Sequence, residues 1–217
     1  MTQPRTRYQH TMPARQEGVV LVVALIFLML LTILAVSASS SSLLQEKMVG
    51  ATRNVQLADW SAESALRGAE WSLYQTTTKV GGHVICTSGS ISTQNNCVKY
   101  NVNSTLYDSG GTVAKFRHSP SWYTGTGKVY KGAQGGVDFT APTTAYDTSA
   151  LASNPLYIIE DMGKARPPGV GPQHESDPGG NPGSLEIHVF RITARATGGN
   201  KNVVRVMQST FDAQTTN

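Results

Sequence analysis

The chain has 217 residues, of which only 15% are charged, and it carries 21 glycines and 10 prolines. This composition excludes a charged disordered protein and a coiled coil, both of which are much richer in charged side chains. The formal net charge is +4, but Arg5, Arg7 and Arg15 precede residue 18, and the remaining 200 residues carry a net charge of +2. We therefore predict no nucleic-acid partner.

The first predicted element is an apolar helix over residues 19–36, in which Thr32 is the one polar residue. At 1.5 Å per residue it would be about 27 Å long, close to the ~30 Å hydrocarbon core of a bilayer. Three arginines precede this run, whereas the first basic residue after it is Lys47. The positive-inside rule then predicts a cytoplasmic N-terminus and an exported remainder.

Three identities fit this apolar run, and its own residues leave all three open. A secretory signal could be cleaved near residues 35–38, which are small and weakly polar. A plain single-span anchor is the second identity. In the third, residues 15–18 (RQEG) place Gly18 directly at the junction with the apolar run, which resembles the leader of type IV prepilins.

The helical pattern continues beyond the apolar run. Apolar residues recur every three or four positions as far as Leu73. The helical tract is predicted to end near residues 76–78, just before Gly81 and Gly82. Together with the apolar run, this pattern predicts one helix of about 55–60 residues whose stripe packs on a sheet. The alternative is an ordinary anchor followed by a separate amphipathic surface helix. Residues 37–42 and Gly50 have low helix propensity and predict either a break or a segment that can melt. The stripe comprises Leu44, Met48, Ala51, Val55, Ala58, Ala62, Leu66, Ala69 and Leu73, and the last five are our predicted packing residues.

The exported region is predicted to be β-rich. The clearest unit is a hairpin with strands over 185–194 and 203–211 and a turn at 197–200. Its apolar alternation shifts phase at Phe190, which predicts a bulge or a strand that is covered on both faces. A helix that faces an antiparallel sheet is an α+β plan. Shorter strands are predicted at Val84–Cys86, Cys97–Tyr100, Val113–Phe116, Ser121–Tyr123, Lys128–Tyr130 and Leu156–Glu160.

Two further features belong to this region. Residues 162–183 hold 6 glycines and 5 prolines and predict a long loop, which we interpret as a linker rather than as a partner-binding loop. Cys86 and Cys97 are the two cysteines of the chain and enclose ten residues. Because the exported side of the membrane is oxidising, we predict that they form a disulfide that constrains this loop.

No catalytic, cofactor or metal motif stands out in the sequence. The five histidines are scattered, and neither a Cys-x-x-Cys nor a phosphate-binding loop occurs. Asp147, Glu160, Asp161 and Asp177 lack the spacing of a calcium loop. We therefore predict a structural subunit with no cofactor and no metal, and not an enzyme. The rival interpretation is an exported single-span enzyme or binding protein whose soluble domain works alone.

Three segments, residues 15–28, 44–70 and 190–210, resemble the PilX family of type IV pilus minor pilins. The resemblance implies a type IV pilin-like α+β fold, a long helix packed on a β-sheet headpiece. It implies a cytoplasmic leader (1–18), a membrane and assembly segment (19–38), an amphipathic helix (39–78) and a periplasmic headpiece (79–217). It also implies that prepilin peptidase cuts between Gly18 and Val19, and that Val19 becomes the N-methylated first residue.

Val23 departs from the pattern of major pilins, which carry a glutamate as the fifth mature residue. That carboxylate is thought to pair with the amine of a neighbouring subunit, since an unpaired charge is costly in apolar surroundings. A subunit with none ahead of it needs no such partner, so Val23 favours a place at or near the pilus tip. Simple tolerance of an apolar residue is the alternative explanation.

The resemblance also implies partners and a location. The protein would start pilus assembly together with other minor pilins, the major pilin, the inner-membrane assembly platform and a tip adhesin. It would lie in the bacterial inner membrane before assembly and in the pilus afterwards. A type II secretion pseudopilin is a close alternative.

Overall fold

The computed structural model describes residues 18–79, 82–141, 150–165 and 185–216. The chain divides into two units between Val49 and Gly50. One α-helix begins in the first unit and ends in the second, and the sheet belongs to the second. The elements in chain order are α1 (Val19–Thr78), β1 (Cys97–Lys99), α2 (Thr112–His118), β2 (Lys128–Val129), β3 (Leu156–Lys164), β4 (Leu185–Thr197) and β5 (Val204–Thr216).

The first unit is helical from Val19 onward, and all of its described side chains are exposed. Among the described residues, α1 is the one helix long and apolar enough to cross a membrane, with a mean hydropathy of 3.4 in its most apolar window. The hydroxyls of Thr32, Ser39 and Ser40 donate to backbone carbonyls one turn earlier. Such bonds satisfy polar side chains within the helix itself. Accordingly, α1 is unbroken through residues 37–42 and Gly50.

The second unit contains a mixed sheet with the strand order β1-β3-β4-β5. The long strands pair in the antiparallel sense, β3 with β4 and β4 with β5, whereas β1 is parallel to β3. β2 pairs in the antiparallel sense with the start of β3, on the edge that β1 shares. The α+β prediction is therefore confirmed, with a parallel strand that the sequence did not indicate. A parallel pair requires a crossover connection, and α2 lies within the one that joins β1 to β3.

Three of the predicted short strands are wrong. Val113–Phe116 lies in α2, where Val113 and Phe116 are three residues apart and both buried on one helix face. Periodicity cannot distinguish a strand from a helix over so short a run. Neither Val84–Cys86 nor Ser121–Tyr123 is a strand. The predicted start of the loop at residue 162 is also wrong, because β3 extends to Lys164. Residues 166–183 lie outside the described residues.

The phase shift near Phe190 has a clear structural cause. The β4–β5 register runs without interruption, but the register between β3 and β4 shifts between Asp161 and Lys164, opposite Phe190 and His188. Beyond this point β4 is covered on both faces, since Ile192 faces one layer and Thr193 the other, and both are fully buried. The prediction of a strand covered on both faces is confirmed.

The sheet separates two hydrophobic cores. On one face, α1 packs on Tyr157, Ile159 and Ile192. On the other, α2 contributes Val113 and Phe116, which pack with residues of β1 and β3. Each core therefore takes alternate residues of the same central strands, as the pleat requires.

Candidate assembly surfaces

The junction at Gly18 is exposed and has its own backbone conformation. Gly18 has a φ of +119°, which side-chain-bearing residues rarely adopt, and α1 begins at the next residue. Its carbonyl accepts the first helical hydrogen bond, from the amide of Val22 at 3.4 Å. The Gly18–Val19 peptide bond thus lies at the boundary of the helix. Residues 15–17, which complete the predicted leader motif, lie outside the described residues.

The apolar run that follows is exposed along its whole length in the single chain. Val23 is 44% exposed, and its large apolar neighbours range from 52% to 69%. No charged residue occurs between Val19 and Gln45. A helix that is apolar all round is stable when a membrane or other apolar helices surround it.

The second half of α1 buries one face on the sheet. All five predicted packing residues are buried, and Ala65, which the stripe omitted, is buried with them. The earlier stripe residues Leu44 and Met48 are 67% and 71% exposed. Burial therefore begins near Ala58, and the apolar period alone did not indicate this boundary. The buried set comprises Ala58, Ala62, Ala65, Leu66, Ala69 and Leu73.

Two glycines allow the headpiece to approach α1 closely. A Cβ atom on Gly198, in the turn between β4 and β5, would lie 2.3 Å from the carbonyl oxygen of Asn54. A Cβ atom on Gly68 of α1 would lie 2.1 Å from the ring of Tyr130. Real Cβ atoms do not approach other atoms so closely, so a larger side chain would have to displace the backbone of α1 at Gly198 or the ring of Tyr130 at Gly68.

Polar contacts join the same helix to β4 and β5, and sequence reasoning missed them. Asp59 Oδ1 lies 3.1 Å from Arg205 Nε, and Ser209 Oγ donates to Glu70 Oε1 at 2.7 Å. Ser61 Oγ also donates to the carbonyl of Thr197 at 3.3 Å. From the sequence, Asp59, Ser61 and Glu70 are indistinguishable from residues of an ordinary solvated helix face, because nothing in the local pattern indicates a partner about 140 residues away.

The opposite face of the sheet holds a fully buried arginine. Arg195 of β4 donates to the backbone carbonyl of Phe116 at 2.6 Å and to those of Ser119 and Ser121. Burial lowers the pKa of this guanidinium from its ordinary value. The carbonyls belong to the end of α2 and the segment after it, so Arg195 attaches this region to the sheet.

An ion pair lies beside it on the same face. Arg191 makes a two-bond contact with the fully buried Glu160, at 2.9 Å and 2.6 Å, and lies over the ring of Tyr100 at 5.5 Å. The hydrogen bond to Glu160 raises the pKa of Arg191. Burial, and then the charge of Glu160, raises the pKa of Tyr107. This layer positions β3, β4 and the segment after β1 relative to one another.

Cys86 and Cys97 are joined by a disulfide, with a Cα–Cα distance of 4.6 Å. Cys97 opens β1 and belongs to the core beneath α1, and Cys86 packs against that core. The bridge therefore links the chain that follows α1 to the edge of the sheet.

None of these arrangements forms a metal site within the described part of the chain, where no three His, Cys, Asp or Glu side chains are grouped to hold an ion. Two of the four acids weighed as calcium ligands, Asp147 and Asp177, lie outside that part. Glu160 and Asp161 instead contact Arg191 and His188, the latter pair at 2.8 Å.

Comparisons with known proteins agree with this geometry. The family described as Type IV pilus assembly protein PilX C-term matches residues 73–213, and the family described as PilX N-terminal matches residues 17–67. The first match includes β1 to β4 and most of β5, and the second begins beside Gly18 and follows α1. Neither the comparison with curated proteins nor that with solved structures found a match.

Proposed function

Because the chain belongs to the PilX family of type IV pilus assembly proteins, we propose that it is a minor pilin that helps to start a pilus and lies at or near its tip. Its role in this proposal is structural rather than enzymatic. The other members of the complex would be further minor pilins, the major pilin and a tip adhesin, on the inner-membrane assembly platform.

The observation that carries this proposal is that the two halves of α1 differ in burial and in polarity. Residues 19–49 are wholly exposed, and the first 18 of them are almost entirely apolar. From Ala58 to Leu73 one face of the same helix is buried against a sheet that polar contacts and a disulfide hold in place. An apolar segment joined in this way to a folded headpiece can lie in a membrane and later in a bundle of similar helices.

The proposal includes a processing step and a topology. Prepilin peptidase would cut between Gly18 and Val19 and leave Val19 as the N-methylated first residue. The exposed, non-helical Gly18 beside the start of α1 supports this position. Residues 1–18 would be the cytoplasmic leader, 19–38 the membrane and assembly segment, 39–78 the amphipathic helix and 79–217 the periplasmic headpiece.

The proposed place at the tip rests on Val23, which stands where major pilins carry a glutamate as the fifth mature residue. In the exposed apolar run there is no carboxylate to pair with the amine of a preceding subunit. A subunit at the tip has no such neighbour, so an apolar side chain is the stable choice there.

Deletion of the protein tests the assembly role, and labelling tests the position. We expect a deletion strain to form fewer pili of normal length, and expression of the intact chain to restore their number. Immunogold label on the headpiece should lie at one end of each pilus. An unchanged number of pili would contradict the assembly role, and label spread along the shaft would contradict the tip position alone.

A further inference from the structure

A cavity of about 400 Å³ lies between the C-terminal part of α1 and the segment 128–135. This volume falls within the roughly 300–1,000 Å³ of typical small-molecule sites. The cavity lies inside the second unit, is lined by described residues, and meets the core beneath α1 at Tyr157. None of the roles proposed above uses it.

Trp71 of α1 and Tyr130 of the segment 128–135 are two of the three aromatic residues that line the cavity, and a neighbour stacks against each of these two. Trp71 of α1 stacks on Tyr74, with ring centroids 5.5 Å apart and an interplanar angle of 26°. Tyr130 stacks on Phe139 at 5.9 Å and 15°. Their orientations are therefore held before any ligand arrives, which reduces the entropy lost on binding. Trp71 remains 49% exposed, so its ring is available.

The backbone around the cavity is also constrained. The absence of a side chain at Gly68 lets the Tyr130 ring lie directly against α1. On the other side, Gly132 and Gly135 adopt φ values of +79° and +76°, and the amide of Gly135 donates to the carbonyl of Gly132 at 3.1 Å. The amide of Val137 closes this loop on the carbonyl of Lys131 at 2.8 Å.

Five of the other residues that line the cavity are neutral polar or positively charged. Ser72, Gln75 and Gln134 supply hydroxyl and amide groups, and Lys128 and Lys131 supply positive charge. None of the residues that line this cavity is acidic. Tyr157 shares a hydrogen bond with Ser72, and burial raises the pKa of Tyr157, which keeps it a neutral hydroxyl.

This combination matches one class of ligand. A sugar ring offers an apolar C–H face to an aromatic ring and a rim of hydroxyls to amide and hydroxyl groups, while the two lysines favour a carboxylate. We propose that the cavity binds an acidic saccharide of the uronic-acid type. Trp71 is the stacking surface, and Lys128 and Lys131 contact the carboxylate.

A nucleic-acid strand would also offer flat rings and negative charge, but the molecule fits it less well. Strand binding uses a basic groove that follows several phosphates. Beyond residue 17 the chain has a net charge of only +2, and the two lysines lie in one short segment beside one partly open cavity.

The test is a titration of the full chain in detergent micelles with trigalacturonate, followed by isothermal calorimetry. Neutral maltotriose and a single-stranded oligonucleotide serve as comparison ligands. We expect trigalacturonate to bind best and to weaken as salt is added, because the charge contact is exposed and screened. Trp71→Ala and Lys131→Gln should each weaken its binding by about tenfold.

Matched controls separate the cavity from the rest of the surface. Trp60→Ala removes an exposed tryptophan of α1, and Lys115→Gln removes an exposed lysine of α2, and neither residue lines the cavity. Both controls should bind as the unaltered chain does. The proposal is overturned if trigalacturonate does not bind, if maltotriose or the oligonucleotide binds as tightly, or if Lys131→Gln and Trp71→Ala behave like their controls.

Discussion

Val23 is the single residue on which the tip argument depends. Val23→Glu would place an ionisable group in the apolar run, at a cost of up to about 3 kcal/mol by insertion scales. That cost is recovered only where a subunit amine lies within reach. We therefore expect Val23→Glu to lower the number of pili without lengthening them, as counted by electron microscopy.

Val23→Leu is the matched control, since it keeps the run apolar, and it should leave the number of pili unchanged. If Val23→Glu instead produced more or longer pili, the carboxylate would have found a partner, and the tip argument would be wrong.

Arg195 is the residue on which the second prediction rests. Arg195→Met preserves much of the volume but leaves the buried carbonyl of Phe116, and the carbonyls of Ser119 and Ser121 in part-buried contacts, without their donor. A buried polar group that loses its partner costs ~1–3 kcal/mol, and loss of the buried charge offsets part of the sum. We expect the free energy of unfolding to fall by about 2–4 kcal/mol, measured by urea unfolding of the full chain in detergent.

Arg205→Met provides the comparison for Arg195→Met. Arg205 contacts Asp59, but the two side chains are 47% and 37% exposed, and such surface pairs contribute about 0–1 kcal/mol. Equal losses from the two substitutions would show that the buried carbonyl contacts do not stabilise the headpiece.

At the scale of the element, α1 changes character near Ala58. Leu73 is 2% exposed within the core beneath the helix, whereas Leu44 belongs to the same predicted stripe and is 67% exposed. Leu73→Ala should lower the free energy of unfolding by about 2–5 kcal/mol, and Leu44→Ala by no more than about 0.5 kcal/mol. Thermal unfolding of the two variants in the same detergent measures the difference, and similar losses would contradict the observed boundary.

The same helix shows what the sequence could and could not predict. Its existence and its end near Thr78 follow from a long apolar period, which is the strongest signal a sequence offers. The point where the stripe becomes buried could not be predicted, because Leu44 and Leu73 have the same local pattern and differ in what lies opposite. The contact between Arg205 and Asp59 likewise depends on the tertiary fold.

The sheet and its flanking helix α2 also differ in how far the sequence predicts them. The hairpin of β4 and β5 was predictable because alternation and a Gly-rich turn are both local signals. α2 was not, since a run of four residues is too short for its apolar period to distinguish a helix from a strand. Arg195 was missed as a structural residue because buried arginines are rare, and the carbonyls that pair with it lie about 75 residues earlier in the chain.

For the whole molecule, the position of the processing site determines whether α1 keeps both its apolar run and the part that packs on the sheet. Under the proposed function, the apolar run would stay in the membrane until assembly, so a leader would have to be removed on the cytoplasmic side without loss of the run itself. Cleavage near residues 35–38 would discard the apolar run and leave a headpiece with only residues 39–78 of α1. Cleavage beside Gly18 keeps the helix whole.

This reasoning gives the last prediction, which concerns the mature N-terminus. Gly18→Leu should block processing, because a bulky side chain would have to adopt the φ of +119° directly beside the proposed cleavage site. Gly50→Leu is the matched control, since Gly50 also faces open space but lies far along the helix. Mass spectrometry of protein from the membrane should find a start at Val19 in the unaltered chain and in Gly50→Leu, and a full-length precursor in Gly18→Leu. A mature start at Ala38 or Ser39 would identify a secretory signal instead, and the apolar run of residues 19–36 would then have no role in assembly.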